Sequence, residues 1–283
     1  MKNKKIITTG LSYVFLILIF AFALFPLVYM VLSAFKTNAE IMTDPAKILP
    51  SGLNLDNFKS VWLSPDFNVK RQFLNSVIYT AVCVAVNMFI AVTMGYVFAT
   101  GHFPLKKTLF ACFSALMFVR TGGIEIYPTF QLLNDIHLPL NLYTLLFTKL
   151  FGIPVVHMYL VRGYIRSIPS AVGEAAKIDG CGYSQILFRV YMPLIKPIMA
   201  TIILLSFQSS WNDYLMVSYY TLTRPEQRTL MVGLMALVNN EGAATSYNLI
   251  LAGATVAMIP ILVVYSFCSK MFVQGLSAGA VKG

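Results

Sequence analysis

Six apolar runs, each long enough to cross a lipid bilayer as a helix, dominate this chain. A hydrocarbon core about 30 Å thick needs roughly 20 helical residues at about 1.5 Å of rise per residue. Two of the runs are weaker, because Arg120 and Lys149 interrupt them. The six predicted spans cover residues 11–34, 73–99, 107–129, 142–161, 194–219 and 247–270.

The composition supports the same class. Hydrophobic residues make up 58% of the chain, charged residues only 11%, and the mean hydropathy is +0.73, whereas about one quarter of a soluble domain is charged. Unbroken runs such as "FLILIFAFALF" favour helices over the alternating strands of a membrane barrel. The first run is also too long for an ordinary signal peptide. The chain is predicted to be an all-α integral membrane protein.

The distribution of basic residues predicts the orientation. With the amino terminus inside the cell, the inner segments carry more Lys and Arg near the span ends than the outer segments do, as the positive-inside rule requires. Both termini and the loop 164–193 are then cytoplasmic. The net charge of +10 is explained by this topology, so nucleic-acid binding need not be invoked.

The cysteines and histidines do not form a recognisable site. No two cysteines make a C-x-x-C pair, and the three histidines are far apart in the sequence. We therefore expect free thiols and no metal site.

The loop between the fourth and fifth spans has the most detailed local pattern. Pro169 suits the first turn of a helix, and Gly180 and Gly182 can supply the left-handed conformation that ends one. After a second short helical piece, Pro193 and Pro197 mark the start of the fifth span. The pattern predicts a helix, a sharp turn and a second helix outside the membrane.

The first of these helices combines small apolar residues with charges. A small apolar surface allows close approach of another backbone, and a carboxylate can bind an Arg across a contact. The sequence therefore predicts a docking surface for another protein. Its residues are Glu174, Ala175, Ala176, Lys177, Ile178 and Asp179.

These residues resemble the E-A-A motif of permease subunits of ATP-binding-cassette (ABC) importers. Val190 and Met192 stand where Ile and Leu are usual in that motif. The positions that match at the expected spacing are Glu174, Ala175, Ala176, Gly180 and Pro193.

The resemblance covers almost the whole chain. "SWNDYL" (210–215) and the ending "GLSAGAVKG" (275–283) are similar to elements of the carbohydrate-uptake branch, in particular the smaller membrane subunit of maltose and maltodextrin transporters. It implies a type I ABC importer permease fold with six transmembrane helices. The first helix and outer loop would occupy 1–72, and a core of five helices 73–283, with the coupling loop at 164–193.

The resemblance also implies partners and a location. A cassette ATPase dimer would dock on the loop, a second homologous permease would complete the pathway, and an extracytoplasmic solute-binding protein would deliver sugar at the cell membrane of a prokaryote. The chain has no G-x-x-x-x-G-K-[ST] phosphate loop, so ATP and Mg would be bound by the ATPase and this subunit would have no catalytic residues. Glu174 would pair with the ATPase, with Ala175, Ala176, Asp179, Gly180 and Pro193 completing the coupling site.

A polar run in the fifth span is the second candidate site. A charge within a membrane costs roughly 2.5–3.5 kcal/mol on insertion scales, so Asp213 should face protein or water. The run lines the sugar pathway, holds two permeases together, or lies at the outer membrane interface, where Trp and Tyr are common. Its residues are Gln208, Trp211, Asn212, Asp213 and Tyr214.

Other polar residues within the spans have simpler interpretations. Arg120 and Glu125 are placed to form a pair, and Lys149 either snorkels or lines the cavity. Asn75 and Asn87 are expected to make interhelical hydrogen bonds.

Three other functions share part of this pattern. An importer permease for a non-sugar solute would have every feature above. An ion-coupled secondary transporter should show related halves and interrupted spans, and the sequence indicates neither. A membrane enzyme would need a converging set of catalytic groups, which the sequence does not contain.

Overall fold

The computed structural model describes residues 2–63, 68–119, 123–238 and 246–280, with side chains described between residues 9 and 272. All regular elements in these ranges are helices. In chain order they are α1 (Lys2–Ser33), α2 (Asn38–Thr43), α3 (Asp56–Leu63), α4 (Val69–Thr100), α5 (Lys106–Leu116), α6 (Ile126–Asp135), α7 (Leu142–Lys149), α8 (Val155–Ser167), α9 (Ser170–Ile178), α10 (Tyr183–Gln185), a π-helical segment (Ile186–Tyr191), α11 (Met192–Leu194), α12 (Lys196–Trp211), α13 (Leu215–Tyr220), a 3₁₀ turn (Pro225–Gln227), α14 (Leu230–Val238) and α15 (Tyr247–Ala280). The all-α prediction is confirmed.

Three helical stretches within these ranges are long and apolar enough to cross a membrane by themselves. They are Thr9–Ser33, Val69–Thr100 and Tyr247–Phe272. A fourth candidate is a bent pair, Tyr183–Leu194 with Lys196–Trp211, whose two helices meet at 83°. Pro197, at the start of α12, favours a break here, because it lacks an N–H and its ring crowds the carbonyl four residues earlier.

The other predicted spans are not single helices, which corrects the sequence prediction of uninterrupted spans. The run 107–129 divides between α5 and α6, and 142–161 divides between α7 and α8, where Gly152 and Pro154 break the helix. The run 194–219 is broken after Trp211, where α12 ends. Hydropathy averaged over a whole span does not locate these breaks, because each run stays apolar enough on average to be read as one span.

The chain forms two compact units, Met1–Lys70 with Gly233–Ile259, and Arg71–Val232 with Pro260–Gly283. The first unit is tied together by side-chain amides. The Asn248 side chain donates to the Asn57 Oδ1 at 2.7 Å, and the Tyr247 N–H donates to the Asn38 Oδ1 at 3.0 Å. The sequence did not indicate that residues 233–259 belong with the amino-terminal segment.

The second unit has two buried clusters. One joins α4, α8, α9, the π-helical segment and α12, and includes Val161, Tyr191 and Ile202. The other joins α4 to α6, α7, α13 and α14, and includes Tyr79, Leu145 and Val217. The first cluster holds the predicted docking helix against two of the longest helices of this unit.

Candidate functional site: the docking helix and the polar end of α12

Helix α9 ends in the way that the sequence predicts at Gly180. Gly180 has a φ of +79°, in the left-handed region. Its N–H donates to the Lys177 carbonyl at 3.0 Å, and the Cys181 N–H donates to the Ala176 carbonyl at 3.0 Å. This pair of bonds is a Schellman motif, in which glycine avoids the steric cost of a Cβ.

Gly182 plays a different part from the one predicted. Its φ is −70°, so it does not supply a left-handed turn, and it precedes the first residue of α10. The Gln185 side chain accepts from the Gly182 N–H at 2.9 Å. Pro169 immediately precedes α9 rather than lying within its first turn.

The two faces of α9 differ sharply. Ile178 is 86% exposed although it is a large apolar residue, and Glu174, Ala175 and Asp179 are also exposed. Ala176 is only 6% exposed and packs in the chain's own cluster. The prediction that Ala176 belongs to the exposed surface is therefore wrong, because residues two positions apart, such as Ala176 and Ile178, point to nearly opposite sides of a helix.

A residue that the sequence analysis missed sets the distance between α9 and the π-helical segment. Gly173 is buried, and a Cβ there would lie 2.6 Å from the Tyr191 hydroxyl oxygen. Only glycine allows this approach without displacement of the Tyr191 ring. The sequence signal was Gly173 itself, an unfavourable residue in an otherwise strong helix, but its partner lies 18 positions further along.

Aromatic contacts connect α10 and the π-helical segment to α4. The Tyr96 ring lies 5.5 Å from the Tyr191 ring and 5.1 Å from the Tyr183 ring, centroid to centroid. The Tyr96 hydroxyl also donates to the Tyr183 carbonyl at 3.2 Å. Because such pairs have preferred geometries, they fix the π-helical segment against α4.

A cavity of about 410 Å³ lies beside the inner face of α9. Glu174 and Lys177 of α9 line it with Arg166, which lies in the last turn of α8, and with the Tyr191 ring. Within the described residues, neither Glu174 nor Lys177 forms an ion pair. The cavity and the exposed face of α9 together offer charged groups that could pair with another protein.

Pro193 is exposed and lies in α11, just before the 83° bend. The segment before α11 is a π-helix, Ile186–Tyr191. Single π-helical turns occur frequently at functional sites. The second half of the E-A-A pattern thus forms the joint between α9 and the long helix α12.

Asp213, at the end of α12, is paired within the protein. Its Oδ2 accepts from the Tyr79 hydroxyl at 2.7 Å and lies 3.4 Å from the Lys149 Nζ. The Asp213 side chain is 16% exposed and that of Lys149 is 37% exposed. The prediction that Asp213 faces protein or water is confirmed, and Lys149 is the partner that the sequence could not identify.

The other residues of this run fall into two groups. Trp211 is buried, with its ring stacked on Phe207 at 5.4 Å and edge-on to Phe73 at 5.9 Å. Gln208, Asn212 and Tyr214 are exposed. Trp211 also lines an apolar groove of about 580 Å³ between α4, α12 and α15.

The remaining predictions concern Asn75, the pair of Arg120 with Glu125, and the ending 275–283. Asn75 donates to the Glu226 and Arg228 carbonyls at 3.0 Å each, so it joins α4 to the 3₁₀ turn and the residue that follows it. Arg120, predicted to pair with Glu125, lies outside the described residues. The side chains of the ending 275–283 are also outside them.

Curated relatives match nearly the whole chain. It is 30% identical over 273 residues to the "Probable ABC transporter permease protein YurM" of Bacillus subtilis, which covers 96% of this chain and 88% of that protein. It is 29% identical over 286 residues to the "Maltodextrin transport system permease protein MalD" of Streptococcus pneumoniae, covering 100% and 98%.

A solved structure has the same fold. It is a chain of a bacterial ABC transporter involved in the import of the acidic polysaccharide alginate, and the two align with a TM-score of 0.79 at 23% identity, covering 94% of this chain and 96% of that one. The family described as "Binding-protein-dependent transport system inner membrane component" matches residues 4–278. The chain therefore belongs to this family of membrane-embedded permease subunits.

Proposed function

We propose that this chain is one of two permease subunits of an ABC importer for sugars or oligosaccharides, driven by a separate ATPase through α9. The observation that carries the coupling role is the exposed face of α9, which presents Ala175 and Ile178 beside Glu174 and Asp179. Neither carboxylate forms an ion pair in the described part of the chain. An 86% exposed Ile178 between charges is unfavourable in water and favourable in a protein contact.

The packing of α9 explains how its displacement would be transmitted to the membrane-spanning helices. Gly173 and Ala176 are buried beside Tyr191, and the cluster that contains Ala176 and Tyr191 continues into α12 through Ile198 and Ile202. Close-packed interiors transmit displacement as rigid bodies. Closure of an ATPase dimer would therefore move α9 and tilt α12, which alternates access to the pathway.

The proposed topology has six spans with both termini cytoplasmic. Three are the long helices α1, α4 and α15. The other three are bent or interrupted, formed by α5 with α6, by α7 with α8, and by the segment from α10 to α13. Irregular backbone at membrane depth is tolerated where it faces protein or a water-filled cavity, which fits a pathway between two permeases.

The sugar assignment rests on relatives. Curated proteins matched by this chain include transporters of maltodextrin and arabinooligosaccharides. The exposed Gln208, Asn212 and Tyr214 would bond sugar hydroxyls in passage, while Asp213 and Trp211 hold the end of α12 in place. A solute-binding protein outside and a second permease would supply the rest of the site.

The test is co-purification of the assembled transporter with a Glu174→Lys variant. Charge reversal should release the ATPase and abolish ATP-dependent uptake in proteoliposomes. Glu226→Lys, the same change at an exposed residue of the 3₁₀ turn, should leave both intact. Full ATPase retention with Glu174→Lys, or uptake by this chain without any ATPase, would refute the proposal.

A further inference from the structure

Helix α3 is fixed to the point at which α1 ends. The last carbonyls of a helix have no partner within it, and here the α3 region supplies donors to the residues that follow α1. The Asn57 side-chain amide donates to the Ala34 and Lys36 carbonyls at 2.8 Å each, and the Asn54 N–H donates to the Phe35 carbonyl at 3.2 Å. Asn57 is 4% exposed.

The depth in the membrane at which α1 ends therefore determines the depth of α3. The stretch Thr9–Ser33 is highly apolar and has none of its most apolar window buried within the protein. Its side chains must meet lipid or another membrane helix. The end of α1 then lies at the boundary between hydrocarbon and water, and α3 lies there too.

Helix α3 has three distinct sectors. Asn57 and Val61, four residues apart, form the buried sector. Trp62 and Leu63 are exposed and apolar, and so is Leu55, which immediately precedes the helix and accepts from the Lys59 N–H. These three residues are hereafter the apolar face of α3, because positions seven and eight apart project from one side of a helix. Asp56 and Ser60 form an exposed polar edge between the two.

We propose that the apolar face of α3 lies on the lipid bilayer, as an interfacial helix that extends the lipid-facing surface of α1. Trp is enriched at membrane interfaces, where its ring sits at the level of the headgroups. Lys59 lies within the same sector, where its Nζ is 3.4 Å from the Asp56 Oδ1 on the polar edge. Both side chains are exposed, so the charged end of Lys59 is at the level of the polar edge while its stem stays among apolar groups. The partner is lipid, not a protein.

Continuity with α1 favours lipid as the occupant. Leu53, 78% exposed, lies next to Asn54, whose backbone is bonded to the end of α1. Exposed apolar side chains therefore occur both along α1, up to Val28, and beside the residues that follow it, at Leu53 and Leu55. A surface helix with an apolar face and a polar edge is the arrangement that lies in the membrane interface.

The assembled transporter in liposomes tests this with spin labels. A nitroxide is placed at Leu55→Cys or Leu63→Cys, with Ser60→Cys on the polar edge as the matched control, after serine replaces the four native cysteines. Collisions with oxygen, which dissolves in lipid, should exceed collisions with a water-soluble nickel chelate severalfold at 55 and 63. At position 60, collisions with the nickel chelate should exceed collisions with oxygen.

Two results would overturn the proposal. Equal nickel access at 55, 63 and 60 would place the face in water, and protection from both reagents would place it against a protein. If the cysteine-free background does not assemble, a photoactivatable benzoylphenylalanine at Leu63 in the otherwise native chain distinguishes lipid contact from protein contact. Lipid adducts found by mass spectrometry support the proposal, and adducts only to a protein subunit refute it.

Discussion

The segment after α1 and the segment around α9 both consist of short helices outside the long apolar stretches. They differ in whether their charged side chains have partners within the chain. Between residues 36 and 51 charges are paired internally. Glu40 accepts from the Ser51 N–H and hydroxyl at 2.9 and 2.8 Å and lies 3.0 Å from the Lys47 Nζ, while the buried Lys36 donates to the Lys47 carbonyl.

Around α9 the side that faces Tyr191 is packed, and the charged side chains are left without ion-pair partners in the described part of the chain. Gly173 and Ala176 are buried on the side of Tyr191, whereas Glu174, Lys177 and Asp179 form no ion pair among the described residues. The difference indicates that the first segment is complete within the chain. We propose that the charges around α9 are paired only when another protein binds.

The largest expected effect follows a bulky side chain at Gly180. Gly180 has a φ of +79°, and no atom lies within 4 Å of the position that a Cβ would take there. Gly180→Leu would therefore meet no neighbour in the described chain and would cost about 1–2 kcal/mol of backbone strain. Assembly should persist, while the added side chain blocks close contact with the ATPase. ATP-dependent uptake should fall to background.

Gly182→Leu is the matched control for Gly180. Its φ of −70° is accessible to any residue, and the nearest atom to a Cβ is 3.9 Å away. This variant should retain most uptake. Normal uptake by Gly180→Leu in an intact complex would count against a tightly packed docking surface.

A smaller effect is expected on the inner side of α9. In Gly173→Ala the new methyl group lies 2.6 Å from the Tyr191 hydroxyl oxygen, and overpacking of this kind costs about 1–3 kcal/mol. Thermal unfolding in detergent should show a lowered Tm. Tyr191→Phe added to Gly173→Ala should restore it, because the nearest remaining ring carbon lies 3.5 Å away.

The rescue makes this prediction specific. If Gly173→Ala alone is as stable as the parent, α9 does not pack closely on the Tyr191 ring. If the double variant is no better than the single one, the hydroxyl oxygen is not the atom that sets the distance.

The smallest effect concerns pH and the segment 36–51. Hydrogen bonds from Ser51, followed by those from Lys47, lower the pKa of Glu40 from 4.5 to about 2. A carboxyl whose pKa is lower when folded stabilises the folded state above its unfolded pKa. That contribution is lost as pH falls from about 4.5 towards 2.

Hydrogen exchange of the Ser51 amide measures this contribution. Protection should be retained at pH 5 and should weaken as the pH approaches 2, whereas Glu40→Gln should show weaker protection already at pH 5 and little further change. Identical exchange in parent and variant across this range would show that the Glu40 carboxylate does not hold the segment.

Local patterns in the sequence predicted local structure well. Gly180 ended α9 as expected, since a turn that needs a positive φ depends on one residue. The helical class followed from apolar runs, and Pro193 and Pro197 marked a joint. The size of the bend could not be predicted, because it depends on what packs against α12 and not on the prolines alone.

Contacts between distant residues were beyond sequence reasoning. Nothing in the local sequence links Asp213 with Lys149, or Gly173 with Tyr191, and the burial of Ala176 depends on which side of α9 meets the rest of the chain. The ring contacts of Trp211 with Phe73 and Phe207 also join residues that the local sequence does not link. Such pairings arise from tertiary packing, which a single sequence does not display.

Site-specific crosslinking in the assembled transporter decides whether α9 contacts the ATPase. A photoactivatable benzoylphenylalanine at Ile178, 86% exposed, should crosslink to the ATPase subunit, while the same group at Leu222, 66% exposed and outside α9, should not. If α9 docks on the ATPase, the Ile178 probe should form a crosslink that is lost when the ATPase is absent. An Ile178 probe that reacts only with solvent in an active, fully assembled transporter would contradict it.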